Sequence, residues 1–344
     1  MEEYPLEEMF QMDTKKEMVT TAGLLGIRIN SGKRKAEIAE RMAEAILIFP
    51  QLLLEKLPLQ EVLKLQQMVY AKDHAVPGNP SFIMDCLEQI GLTDSRYNGK
   101  QTLDFIYPDL AKALLPVIDK FAEKARANEN KYRREQLILG LLNLYGILSF
   151  REIEELSSDY DPGLKIPGLY HAIKGSYLLK SRGATIDRKF YLTSPYMTDP
   201  DYIWEEIRSR GSISRAGFTE EQILDAGIWG APKPPVTAAT GPFRRELYEM
   251  QKTEPATDWL LGEYWMLLNN DYDHVSLFQK VLDEKPHTLE SVNALMSRFN
   301  DWSNDVPRWI LKGNSSRHIF ETHEKLTRIS ISLPVSWHAT SWKT

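Results

Sequence analysis

"YRREQLILGLLNLYGILSFREIEELSSDY", Tyr132 to Tyr160, decides how the middle of the chain is built. An apolar helical run starts at Tyr132 and is closed by Gly146, the residue type that ends helices in a left-handed conformation. Three residues later Ser149 and Glu152 spell a capping box and open a second helix. "PGLKIPGLYHAIKG" (162–175) supports a third, short helix. Beyond it, "SYLLKSRGATIDRKFYLTSP" (176–195) reads as two strands, Tyr177 to Leu179 and Phe190 to Leu192, flanking a charged turn from Arg182 to Lys189.

Three helices and then a hairpin is the element order of a winged helix, which we assign to residues 129–229. Upstream, helical spacing predicts helices over 15–25, 33–49, 57–71 and 82–90, with a Pro- and Gly-bearing loop at 74–81. Residues 102–146 supply a short strand or turn and two long helical patterns that part near "ANEN" (127–130). Downstream, 200–228 is helical with a break at "SRGSISRAG", and "GAPKPPVTAATGPF" (230–243) reads as a linker. The remainder is helical to about Leu326, and 329–344 is a strand or a loose tail. No period of 20–50 residues repeats. The expected fold class is mainly α and multi-domain. The expected parts are a helix-extended-helix module (1–50), a helical segment (51–128), a winged-helix-like α+β domain (129–229), the linker, and a C-terminal helical domain (244–344).

With 344 residues, 42% of them apolar and 26% charged, the chain is long enough for a sizeable core and is not of disordered composition. Cys86 is its single cysteine, so no internal disulfide and no multi-thiolate metal site can form. No apolar run approaches a membrane span, and the acidic "MEEYPLEEMFQMD" is unlike a signal peptide, so the expected location is the cytoplasm. A formal net charge of −6 argues against indiscriminate coating of nucleic acid; any such binding must come from local patches.

"LLGIRINSGKRKAEIAERM" (24–42) is one such patch. Ser31 reads as an N-cap that places Gly32, Lys33 and Arg34 in a first helical turn, where free amides attract anions. Cations there oppose the macrodipole, at a cost of about 0.3 to 1 kcal/mol each, and a bound phosphate would reverse that cost. Arg28, Lys35 and Arg41 add charge at the same end. Gly26, Ser31, Arg34, Lys35, Glu37, Ile38 and Met42 resemble the helix-extended-helix modules of the SAP and Rho termination factor N-terminal type. That resemblance covers about a tenth of the chain. It implies nucleic-acid association, with DNA as the expected partner.

Residues 165–190 form the second patch. Lys165, Lys174, Lys180, Arg182, Arg188 and Lys189 stand against Asp187 alone, a net charge of +5. In a winged helix Lys165 and Lys174 would lie on the groove-facing helix and Arg182 and Arg188 on the hairpin, with backbone contact expected before base reading. Pro167 and Gly168 within that helix weigh against base reading. In the C-terminal third, "LMSRFNDWSNDVPRWILKGNSSRHIF" (295–320) resembles the helical body of uncharacterised bacterial proteins that often end in a SEC-C metal motif. No cysteine follows residue 86, so zinc binding does not carry over.

No catalytic residue is identified. The chain has no phosphate loop, nucleophile elbow or dinucleotide fingerprint. His318 and His323 are spaced i, i+5, a poor fit to a shared metal, and "NNDYDH" lacks the Gly and distal Glu of a calcium loop. No cofactor and no metal are expected. Trp259, Trp265, Trp302 and Trp309 are expected to pack the C-terminal domain. The alternative to nucleic-acid binding is a protein-interaction adaptor that grips a partner through the winged helix and that domain.

Overall fold

A computed structural model describes residues 5–78, 86–127, 129–186, 189–230, 232–251, 253–271, 274–283 and 288–322. Arg188, the start of the expected 82–90 helix, His323 and the 329–344 tail lie outside these residues. The protein is mainly α, as its sequence predicts, with two small three-stranded sheets. No helix among the described residues is long and apolar enough to cross a membrane.

Helices α1 (Leu6–Phe10), α2 (Lys15–Leu25), α3 (Lys35–Ile48) and α4 (Pro50–Leu54) come first. Met18, Ala22 and Leu25 from α2 meet Ile38, Met42 and Ile46 from α3 in the core, the stripes their helical spacing predicts. Then follow α5 (Leu59–Tyr70), β1 (Ala75–Pro77), α6 (Cys86–Ile90), β2 (Thr93–Tyr97), β3 (Thr102–Ile106), α7 (Pro108–Leu114) and α8 (Ile118–Ala127). Strand β3 falls where a short strand or turn is expected from residue 102, whereas β1 and β2 correct the expectation of helix and loop in the rest of 51–128. The strands of this sheet are short, and only Asn98 and Gly99, in the β2–β3 turn with Gly99 at φ +89°, mark the hairpin in sequence.

The middle of the chain holds α9 (Glu129–Tyr145), β4 (Ile147–Leu148), α10 (Phe150–Ser157), α11 (Ile166–Gly175), α12 (Tyr177–Lys180), β5 (Gly183–Ile186) and β6 (Lys189–Thr193). Gly146 ends α9 at φ +82°, and the Ser149–Glu152 box opens α10. The sheet is antiparallel in the order β4-β6-β5, with α9 before it and α10 to α12 between its first strand and the hairpin. The first sheet has the same arrangement, β1-β3-β2, with α5 before it and α6 ahead of the hairpin. The chain therefore uses one strand order twice, with no sequence repeat to announce it.

One expectation for the hairpin is corrected. Tyr177 to Leu179 are helical, because the Ser176 hydroxyl accepts the Leu179 amide at 3.1 Å and so caps α12. The same hydroxyl donates to Glu135 at 2.8 Å.

α13 (Pro200–Ser209) and α14 (Glu220–Ala226) follow, then α15 (Thr240–Gln251), α16 (Glu254–Asn269), α17 (His274–Asp283), α18 (Leu289–Asp305) and α19 (Ser316–Thr322). The stretch expected to be a linker is packed: Pro232, Pro234 and Pro235 are buried, and α15 begins inside it at Thr240. Buried apolar side chains from Leu6 to Trp309 form one cluster, and Ile213, Leu311 and Ile319 form a second, small one. Trp265, Trp302 and Trp309 are fully buried, and the Trp309 indole donates to the Asn143 carbonyl at 2.7 Å, tying the C-terminal helices to α9.

Glu135, on α9, is buried, and burial raises its carboxyl pKa above the ordinary 4.5. Between that value and the raised one, the unfolded chain releases its proton first, so this group costs stability as pH rises. Glu135→Gln keeps the acceptor for Ser176 and removes the buried charge. The variant is expected to melt above the parent at neutral pH, with the difference vanishing below about pH 4.5; paired thermal melts across pH measure it.

Candidate nucleic-acid interface

The N-terminal module starts from a complete capping box: Thr14 accepts the Glu17 amide at 3.2 Å and Glu17 accepts the Thr14 amide at 2.7 Å. Gly26, at φ +82°, ends α2, and an extended link leads to a turn. Asn30 makes that turn. Its Oδ1 accepts the Gly32 amide at 2.8 Å and its carbonyl accepts the Lys33 amide at 3.1 Å.

This overturns the expected role of Ser31. Helix α3 starts at Lys35, and Glu37 accepts the Arg34 amide at 3.0 Å. The amides of Gly32, Lys33 and Arg34, expected to be open to an anion, are all occupied within the chain. The cations themselves face solvent: Arg28, Lys33, Arg34, Lys35 and Arg41 are exposed. Lys33 pairs with Glu37 at 3.1 Å and Arg41 with Glu44 at 2.6 Å, while Lys35 lies within electrostatic reach of Asp13 and Glu17. Arg28 and Arg34 have no ion pair among the described residues.

In the expected winged helix, α11 begins at Ile166, so Pro167 and Gly168 fall in its first turn, where proline is tolerated. They do not break the helix. Leu169 and Ile173 point into the core, which turns Ile166, Tyr170 and Lys174, spaced i, i+4, to solvent. Tyr170 is 57% exposed and Ile166 46%. His171 is exposed beside Tyr170, their rings 6.4 Å apart. Lys165, at the start of the helix, is exposed and lies 3.6 Å from Glu154. No Asp or Glu occurs from 162 to 186, so the exposed face of α11 carries positive charge and aromatic surface with no carboxylate of its own.

The remaining cations separate. Arg182 is half-buried: its guanidinium donates to Gln89 on α6 at 3.3 Å, and burial lowers its pKa. It holds the two sheet-bearing halves together instead of reaching outward, which corrects its assignment to the hairpin surface. Lys189 is exposed on β6. Lys180 donates to the Gly23 and Leu24 carbonyls at 2.6 and 3.2 Å, and so caps the C-terminal end of α2 with a cation.

Two contributors escaped the sequence reading. Lys56 donates to the Lys174 carbonyl at 3.0 Å, and Lys131 to the Glu55 carbonyl at 2.6 Å. Lys56 sits in no basic run, Lys131 belongs to "KYRR" (131–134) outside the two patches, and only the fold brings them to the end of α11. Tyr170 was legible from its spacing to Lys174. Among the described residues no group of His, Cys, Asp and Glu could hold a metal ion. No family model matches the chain, and no curated protein or solved structure matches it either.

Proposed function

We propose that the protein binds nucleic acid, with DNA as the expected form, through contacts to backbone phosphates in a regulatory or architectural role in the cytoplasm. The observation that supports this most is α11: the second helix of the pair ahead of the hairpin, its solvent face lined by Tyr170, His171 and Lys174 with no carboxylate of its own, while Glu154 of α10 sits at its N-terminal end against Lys165 and the Ile166 amide. The exposed cations of the N-terminal module, Arg28 and Arg34 first, add a second weak contact on the same chain. The module's resemblance to nucleic-acid-associated helix-extended-helix units supports the same reading. Because the net charge is −6, attraction is local, and its salt dependence reports how many phosphates are engaged. The test is titration of labelled duplex and single-stranded oligonucleotides with the full chain at rising salt. Affinity should fall linearly on a log–log scale; absence of binding at low salt refutes the proposal.

A protein-interaction adaptor is the second reading, and the observation favouring it is apolar: Ile166, Tyr170 and Phe190 are all about half exposed around α11 and the hairpin. Its expected aromatic C-terminal surface finds less support, since Trp265, Trp302 and Trp309 are interior. No oligonucleotide binding, together with a partner recovered through the α11 face, would favour the adaptor.

A further inference from the structure

Three segments distant in sequence meet beside the C-terminal end of α11. They are the end of α2 (Gly23, Leu24), the α4–α5 connection (Glu55, Lys56) and the α11–α12 junction (Lys174 to Lys180). Lys180 holds the first to the third through the Gly23 and Leu24 carbonyls. Lys56 holds the second to the third twice, its ammonium on the Lys174 carbonyl and its own carbonyl accepting the Tyr177 amide at 2.8 Å.

These contacts place three ammonium groups, Lys56, Lys174 and Lys180, around one seam. Arg28 stands four residues beyond Leu24 on the exposed link. Glu55 is the single carboxylate on these segments, and Glu135, which lies beneath on α9 against Ser176, is pushed toward its neutral form by burial. Burial first, and then the neighbouring Lys56 and Lys174, pull the Lys180 pKa down, the signature of cations crowded without a counter-charge. Lys56 gives one and Lys180 two of their three ammonium N–H groups to carbonyls, leaving donors for an outside acceptor, and the Lys174 side chain is exposed.

We propose that this seam is a phosphate-binding site for the nucleic-acid backbone, formed by Lys56, Lys174 and Lys180 with Arg28, where a strand passes from α11 to the N-terminal module. The inference rests on the nucleic-acid reading of α11 and adds a location and one residue, Lys56, whose sequence position lies far from α11, and it joins Arg28 to the same site. It also gives the docking of the N-terminal module a purpose: Lys180 fixes the module where both patches reach one backbone.

The test uses the full chain and a fluorescently labelled DNA duplex, with the slope of log affinity against log salt as the readout. Lys56→Gln and Arg28→Gln should each lower the slope by about 0.9, the value for one phosphate contact on B-form DNA. Lys56→Arg, which keeps the charge, should leave it near the parent value, so a loss caused by disturbed folding is separated from a loss of charge. If the parent binds and both neutral variants keep its slope while Lys165→Gln lowers it, the seam proposal falls and α11 binding stands. If the parent does not bind at low salt, both fall.

Discussion

Gly140→Ala is expected to lower the unfolding free energy by about 3 kcal/mol, at the upper end of the cost of overpacking. Gly140 lies on α9 where α14 crosses it, and an added Cβ would fall inside the Ile223 carbonyl group. Gly227, just beyond α14, meets the Gln136 carbonyl of α9 just as closely. Both obstacles are backbone atoms and cannot swing aside as a flexible side chain would. The helices must therefore separate, and two hydrogen bonds across the crossing go with them: Gln136 to the Leu224 carbonyl at 2.7 Å and Asn143 to the Ala226 carbonyl at 2.8 Å. Urea unfolding at unchanged m-value measures the loss. Gly23→Ala is the counter-case. Gly23 lies inside α2 with open space where its Cβ would be, so this substitution should stabilise by about 0.5 to 1 kcal/mol through helix propensity alone.

Lys174→Glu is the second large effect, on binding instead of folding. The Lys174 side chain is exposed on α11 and has no ion pair among the described residues, so stability should change by less than about 0.5 kcal/mol. Reversing its charge removes one phosphate contact and adds a repulsion. The variant should bind a DNA duplex at least about tenfold more weakly near 0.1 M salt, and its salt slope should fall by about one. Arg182→Gln should do the opposite. Its guanidinium is tied to Gln89 on α6, so the substitution should lower stability and leave the slope alone. The pair separates cations that face outward from cations that brace the fold, a distinction that charge counting along the chain cannot make.

The helices were legible wherever local chemistry and packing agreed. The Met18, Ala22, Leu25 stripe and the Ser149–Glu152 box placed α2 and α10, and Gly146 closed α9. The hairpin was legible only in part: its second strand lies where it is expected, and Tyr177 to Leu179, expected as the first, are helical. The first sheet showed only at β3, read as a short strand or turn from residue 102. Its strands run three to five residues, and the burial of β2 and β3 follows no clean alternation, so periodicity had little to report. Ser31 was misread because Asn30, one residue earlier, makes the competing Asx turn and Glu37 reaches back to the Arg34 amide. Both readings spell Ser-Gly-Lys-Arg, and only the geometry of the turn separates them.

The same limit applies to the site. Sequence reading located a basic, acid-free stretch and could name Lys165 and Lys174, but it could not tell that Lys180 would turn back onto the end of α2 or that Arg182 would be half-buried. Lys56 was invisible because its role depends on contacts 118 residues away. Charge density along a chain reports that a patch exists, and the fold decides which members of it reach solvent.

Hydrogen–deuterium exchange of the full chain with and without excess DNA duplex, at low salt, tests the assignment of α11 most directly. Residues 165–175 should gain protection on binding, together with the 26–35 link and turn. Binding that leaves 165–175 unprotected would contradict it.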